Sequence, residues 1–97
     1  PEVTTAHRAG SSVWLTLAAP MRVTTSDQLP MRTFEVAGVD ERFYPAVAEV
    51  TAGGQIVLSS SAVPTPRYVR YGWQPFSEGN VVSSQGLPLS TFRLVVK

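Results

Sequence analysis

A serine hydrolase needs a serine, a histidine and a carboxylate close together in the active site. The chain has a single histidine that could take part in such a triad. That residue, His7, lies among small residues near the start of the sequence, with Asp27 and Asp40 as candidate carboxylates further along. No serine stands in a Gly-x-Ser-x-Gly turn, which would expose and activate a nucleophile. We therefore expect His7 to be solvated and the chain by itself to carry no catalytic set.

The sequence also lacks the groups of residues that bind metals or cofactors. The sequence contains no cysteine, and its seven acidic residues are scattered, whereas metal sites gather several ligands in one place. The adjacent Asp40 and Glu41 suit a solvated turn. Gly53 and Gly54 suit a hairpin rather than a phosphate-binding loop, because no helical pattern follows them. The sequence therefore predicts neither a metal nor a cofactor.

The charge pattern argues against nucleic acid as a partner, because the formal net charge is +1 and the arginines are spread along the chain. No apolar stretch approaches the roughly 20 residues of a membrane span. The first residues lack a signal-peptide layout, so the signal of an exported protein is expected upstream of Pro1. Charged residues make up 15% of the chain, below the usual level of about 25%. Part of the surface is therefore expected to be covered by another domain or partner.

Short segments that alternate between apolar and polar residues recur along the chain, separated by Gly, Pro, Asn and Ser. No segment has helical periodicity over three turns, so antiparallel sheets are expected. The predicted strands are residues 13–17, 21–25, 31–37, 43–50, 55–59, 67–73 and 92–96. We predict an all-β fold, a small antiparallel β-sandwich of seven to eight short strands. Residues 1–97 are assigned to one domain, in which residues 1–11 form a linker-like start.

Strand alternation assigns side chains to faces, because successive residues of a strand point to opposite sides of the sheet. The aromatic-rich segment 67–93 is expected to contribute much of the core. The side chains assigned to the core are Val13, Leu15, Leu17, Ile56, Leu58, Val69, Tyr71 and Trp73.

Four side chains remain as candidates for contact with a partner or a sugar: Trp14, Arg70, Asn80 and Arg93. Trp14 faces away from the core, so it either stacks on a sugar ring or docks against another domain. Arg70 either forks two hydrogen bonds to a carboxylate across an interface or lies on the free surface. Asn80 and Arg93 either satisfy backbone groups of their own loops or bridge to a partner.

Two ordered blocks resemble a known family. Residues 33–46, TFEVAGVDERFYPA, are similar to a GFEIAGEDGKFYPA pattern. A short strand at residues 56–60 is followed by residues 69–73 (VRYGW), Asn80, residues 86–88 (GLP), Phe92 and Arg93. This order resembles the C-terminal β-domain of sialate O-acetylesterase-like proteins over residues 33–93. The chain departs from the residues usual in the family at Ser83, Leu89, Thr91 and its last four positions.

The resemblance implies a carbohydrate O-acetyl esterase whose catalytic part is an SGNH-type α/β hydrolase domain. In that family, a serine in an N-terminal block and an Asp-x-x-His pair form the triad, and this sequence contains neither. The resemblance therefore implies a non-catalytic C-terminal β-domain, or a separated chain, that packs against the catalytic domain. Acetylated carbohydrate would be the substrate of the whole enzyme, in a secreted or periplasmic location.

Two other functions stay open. An independent carbohydrate-binding module would stack sugars on Trp14 and also on Trp73. A purely structural sandwich would serve assembly alone and would differ from the accessory domain only in its partner.

Overall fold

The computed structural model describes residues 2–18, 22–51, 55–73 and 79–97, and within these ranges it contains β-strands and no helix. The ten strands are β1 (Val3–Ala9), β2 (Ser12–Leu17), β3 (Val23–Thr25), β4 (Phe34–Ala37), β5 (Phe43–Pro45), β6 (Val47–Val50), β7 (Ile56–Ser59), β8 (Tyr68–Tyr71), β9 (Val81–Ser83) and β10 (Phe92–Val95).

The strands form two four-stranded sheets and one two-stranded ribbon. The first sheet has the order β1-β2-β7-β6, the second sheet has the order β10-β8-β4-β5, and the ribbon pairs β3 with β9. All of these pairings are antiparallel. The predicted all-β antiparallel fold is confirmed. The structure has more strands than predicted because β1 and β9 were not recognised and because the run 43–50 is divided in two.

A corner at Ala46 divides that run. β5 ends at Pro45 in the second sheet, and β6 begins at Val47 in the first sheet. The N–H of Ala46 donates a hydrogen bond to the carbonyl of Phe34 at 2.9 Å, which fixes the bend against β4. Strands that switch sheets in this way make the corners of β-sandwiches. This corner joins the two sheets along one side of the molecule.

The prediction that residues 1–11 form a linker-like start is wrong for Val3–Ala9, which is strand β1. β1 pairs with β2, and Val3 and Ala6 are buried in the core. The pairing shifts register between Val3 and Thr5, as at a β-bulge. Because of the bulge, the buried residues Val3 and Ala6 are three positions apart. The alternation of apolar and polar residues that identifies a strand is therefore absent from this part of the sequence.

One cluster of buried side chains lies between the sheets. It contains Val13, Leu15, Ile56, Leu58, Val69 and Tyr71, as the alternation predicted, and Leu17 packs against its edge. Three aromatic rings meet within it. The ring centroids of Phe34 and Tyr71 are 4.6 Å apart, and those of Tyr71 and Phe92 are 6.1 Å apart. Ring pairs at such distances add to the stability that burial alone provides.

The expected core position of Trp73 is wrong, because its side chain is 50% exposed. β8 ends at Tyr71, and Gly72 follows with a φ of 65°, in the left-handed region that glycine adopts readily. A side chain at this position would also collide with Thr91, whose Cγ2 would lie 2.7 Å from an added Cβ. Gly72 thus ends the strand alternation one residue before the tryptophan and lets Trp73 turn outward.

The predicted strand 31–37 begins only at Phe34. Thr33 has a φ of 68°, which is unusual for a β-branched residue and incompatible with an extended strand. The hairpin predicted at residues 52–54 lies outside the described residues, although β6 and β7 on either side of it pair antiparallel. Within the described ranges, no helix is long and apolar enough to cross a membrane.

Candidate interaction surface

Arg70 and Glu35 form an ion pair on the outer face of the second sheet. They lie directly opposite each other on β8 and β4, and Arg70 Nε donates to Glu35 Oε1 at 2.9 Å. Their side chains are only 19% and 11% exposed. The Arg70 guanidinium carbon also lies 3.8 Å from the centroid of the Phe43 ring on β5, within cation–π range. The strand alternation predicted the outward direction of Arg70, and the pairing of β4 with β8 supplies its partner.

Arg93 extends this surface on the neighbouring strand β10, opposite Arg70. Its Nη2 donates to Glu41 Oε1 at 2.8 Å, and its guanidinium carbon lies 5.5 Å from the Phe43 ring and 6.0 Å from the Tyr68 ring. Arg93 and Glu41 remain well exposed. We call this group of Phe43, Tyr68, Arg70 and Arg93, with the partner carboxylates Glu35 and Glu41, the arginine–aromatic face.

The arginine–aromatic face has the chemistry of a protein contact surface. Arginine and aromatic side chains are enriched at the centres of protein interfaces. Arg70 and Glu35 are held in place by their pairing, so they lose little conformational freedom when a partner covers them. Each arginine of this face is paired with a glutamate of the same chain, so the positive and negative charges of the face are equal in number. The expected ion pair between Arg70 and a carboxylate of another domain stays a prediction.

Asn80 lies inside the molecule, fully buried, and holds the loop that precedes β4. Its Oδ1 accepts the backbone N–H of Arg32 at 3.0 Å, and its Nδ2 donates to the carbonyl of Pro30 at 2.9 Å and to Asp27 Oδ1 at 3.1 Å. Asn80 thus satisfies backbone groups of a loop distant in sequence rather than of its own turn, and a contact with a partner stays a prediction. The same loop contains an ion pair between Asp27 and Arg32.

The hydrogen bonds from Arg32 and then Asn80 lower the pKa of Asp27 from its ordinary value of 3.8 to about 2. The carboxylate form is favoured because two donors bind it. Asp27 was considered from the sequence as a triad carboxylate. In the structure its carboxylate binds Arg32 and Asn80 and holds the loop.

Trp14 is half-buried on the outer face of the first sheet. Its ring is stacked with that of His7, directly opposite on β1, with a centroid distance of 6.5 Å. His7 itself is exposed, as expected of a solvated histidine. The structure therefore places Trp14 outward, as predicted, with the ring of His7 beside it. Its contact with a sugar or a domain stays a prediction.

Sequence reasoning missed a groove beside Trp73. The groove has a volume of about 380 Å³, and the residues along it include Met31, Thr33, Glu35, Pro45 and Trp73. The sequence signals for it were Trp73 itself, named above as a second stacking residue, and the glycine immediately before it. Among the residues that the structure describes, no group of three or more His, Asp and Glu side chains could hold a metal ion.

Among solved structures, the chain is similar to that of XAC1771, a novel carbohydrate acetylesterase from Xanthomonas citri, with a TM-score of 0.89 and 30% sequence identity. The similarity covers 97% of this chain but only 22% of that chain, so this chain spans about a fifth of the acetylesterase. No protein-family model matches the sequence, and no curated protein matches it either. The finding supports the coarser part of the family resemblance, a carbohydrate acetylesterase. The sialate substrate and the SGNH type stay predictions.

Proposed function

We propose that this chain is a non-catalytic accessory β-domain of a sialate O-acetylesterase-like carbohydrate O-acetyl esterase. In this proposal it packs against an SGNH-type serine-hydrolase domain, in the same or a separate chain, and supports it. The observation that carries the proposal is the match to XAC1771, in which nearly all of this chain corresponds to a minor part of a larger acetylesterase. Residues 1–97 would act as one domain, and the whole enzyme would work outside the cytoplasm.

The chemistry of the whole enzyme would belong to the partner domain. An activated serine would attack the acetyl ester, release the sugar hydroxyl and form an acyl-enzyme, which a histidine-activated water would then hydrolyse. In this chain, Asp27 is held by Arg32 and Asn80, and His7 is exposed beside the Trp14 ring. This arrangement supports a role in positioning the catalytic domain rather than in the reaction.

The arginine–aromatic face is the proposed docking surface. Its half-exposed rings, Phe43 and Tyr68, lie next to the exposed Arg93, and Val95 beside Tyr68 is 63% exposed. Apolar surface next to preorganised arginines suits the centre of an interface.

The proposal is tested first by activity. We expect the purified 97-residue chain to release no acetate from 4-nitrophenyl acetate or from acetylated oligosaccharides, whereas the native polypeptide or assembly that contains it does so. Mass spectrometry of the native protein and sequencing of what accompanies the chain should reveal a serine-hydrolase block. Esterase activity in the 97-residue chain alone, or a native protein without such a block, would overturn the proposal.

Docking is tested by association of this chain with the separately expressed catalytic part. Replacement of Arg93 by alanine should weaken association by about tenfold or more, because it removes an arginine from the interface. Arg8→Ala is the matched control, since Arg8 is an exposed arginine on β1 of the first sheet. Equal effects of the two substitutions would place the docking surface elsewhere.

A further inference from the structure

The groove beside Trp73 has the composition of a small-ligand site. Trp73, Met31 and Pro45 supply apolar walls, while Glu35 and Arg32 supply polar groups. Its volume of about 380 Å³ falls within the roughly 300–1,000 Å³ of known ligand sites. Mostly apolar walls with a few fixed polar groups are typical of such sites.

The tryptophan is held outward by the backbone before it. The positive φ of Gly72 directs Trp73 away from the core, and the N–H of Gly72 donates to the carbonyl of Thr33 at 3.2 Å. Thr33 itself has a φ of 68°. A β-branched residue with a positive φ is strained and persists where the surroundings enforce it, often at functional sites. The strained backbone of Thr33 therefore lies beside one exposed indole.

The charged groups of the groove are balanced by ion pairs. Arg32 is paired with Asp27, and Glu35 is paired with Arg70. A charged ligand would gain little from this rim, because each charge already has an opposite charge beside it. A neutral ligand with hydroxyl groups suits it better, since guanidinium groups have five donors and carboxylates have several acceptor sites.

We propose that this groove binds a neutral pyranose ring of a saccharide, with its C–H face on the Trp73 indole and its hydroxyl groups toward Arg32 and Glu35. A pyranose has the required shape, because one face is apolar and its edge carries hydroxyl groups. The groove shares Glu35 with the arginine–aromatic face, so it is tested on the isolated chain, where no docked domain covers that residue. Trp14 is the less suitable platform, because its side chain is half-buried whereas Trp73 is 50% exposed.

The chain has two tryptophans, so a single substitution leaves one fluorescent reporter. In the Trp14→Phe variant, we expect the emission of Trp73 to shift and saturate on titration with cellohexaose, xylohexaose or mannohexaose. In the Trp73→Phe variant, the emission of Trp14 should stay unchanged over the same titration. A saturable change at Trp14 alone, or no change at Trp73 with any of the three saccharides, would overturn the proposal.

Calorimetry with the Trp73→Ala variant measures the contribution of stacking. We expect affinity to fall by about tenfold or more, as when a base loses an aromatic platform. Because Trp73 is half exposed, circular dichroism should show a folded variant. An oligogalacturonide, which carries a negative charge on each ring, should bind more weakly than the neutral saccharides. Equal binding of the anionic ligand would overturn the assignment to a neutral sugar. Unchanged affinity of the Trp73→Ala variant would overturn the claim that the sugar stacks on Trp73.

Discussion

At the scale of single residues, the loop that precedes β4 depends on one buried amide. Asn80 binds the backbone at Pro30 and Arg32 and also the carboxylate of Asp27. Asp27 in turn is paired with Arg32 and accepts the N–H of Leu29 at 3.1 Å. A buried amide with its donors and acceptor satisfied holds a loop without regular secondary structure. This loop leads directly to Thr33 and the groove beside Trp73.

The lowered pKa of Asp27 predicts how the loop responds to acid. Its pKa of about 2 in the folded chain lies below the value near 3.9 of an unfolded chain. The carboxylate therefore adds stability above about pH 4, and that contribution is lost as the pH falls to about 2. In urea unfolding between pH 5 and pH 2, the wild type should lose more stability than Asp27→Asn. Arg32→Gln should also weaken this dependence, and parallel curves for all three proteins would contradict the prediction.

At the scale of elements, β8 and β9 are joined by one side chain. The hydroxyl of Tyr71 accepts the backbone N–H of Val81 at 3.1 Å inside the core. Burial raises the pKa of this phenol, and the N–H of Val81 acts against that rise. Gly79 makes the approach possible, because an added Cβ would lie 2.2 Å from the Tyr71 hydroxyl. The tyrosine thus ties the ribbon of β3 and β9 to the second sheet.

Removal of that hydroxyl leaves a buried donor without a partner. We expect Tyr71→Phe to lower the free energy of unfolding by about 1–3 kcal/mol, measured by chemical denaturation. Tyr68→Phe is the matched control, because Tyr68 lies on the outer side of the same strand and keeps its ring near Arg93. A change of less than about 0.5 kcal/mol is expected there. Similar losses in both variants would argue against a special role for Tyr71.

Elements with regular alternation were predictable, and those with irregular backbone were not. The core faces of β2, β7 and β8 followed directly from alternating residues, as did the outward direction of Arg70. β1 was missed because its bulge hides the period of two, and Trp73 was misplaced because Gly72 ends the alternation. Glu35 could not be identified as the partner of Arg70, since the two residues are 35 positions apart and meet only through the pairing of β4 with β8. Sequence patterns report local geometry, while these contacts depend on long-range pairing.

At the scale of the whole molecule, the two main sheets are joined along both sides. The corner at Ala46 joins them on one side, and a parallel bridge between Ala6 on β1 and Val96 joins them on the other. The N–H of Lys97 donates to the carbonyl of Ala6 at 2.9 Å, and the N–H of Arg8 donates to the carbonyl of Lys97 at 2.8 Å. Exposed strand edges promote pairing between chains, so this closure favours a discrete folded unit.

The role of β1 in this closure is tested by the same substitution at two adjacent positions. Ala6→Asp places a charge in the core and should cost several kcal/mol of stability, or prevent folding, because an unpaired buried carboxylate has no compensating contact. Thr5→Asp is the control, since Thr5 lies on the exposed side of β1 and should change stability by less than about 0.5 kcal/mol. Thermal melting followed by circular dichroism measures both. If both variants melted at the temperature of the wild type, β1 would not contribute to the core and residues 1–11 would behave as a linker.

The parallel contact between β1 and the end of the chain also has a mechanical consequence. Because the two terminal segments run side by side in the same direction, a pull on both ends draws them along each other in opposite directions. The hydrogen bonds at Ala6 and Arg8 then carry the tension together, in shear, instead of opening one after another as in a hairpin peeled from its end. Resistance to force depends on the unfolding rate rather than on equilibrium stability. A domain tethered at both ends would in this way hold its shape under stretching.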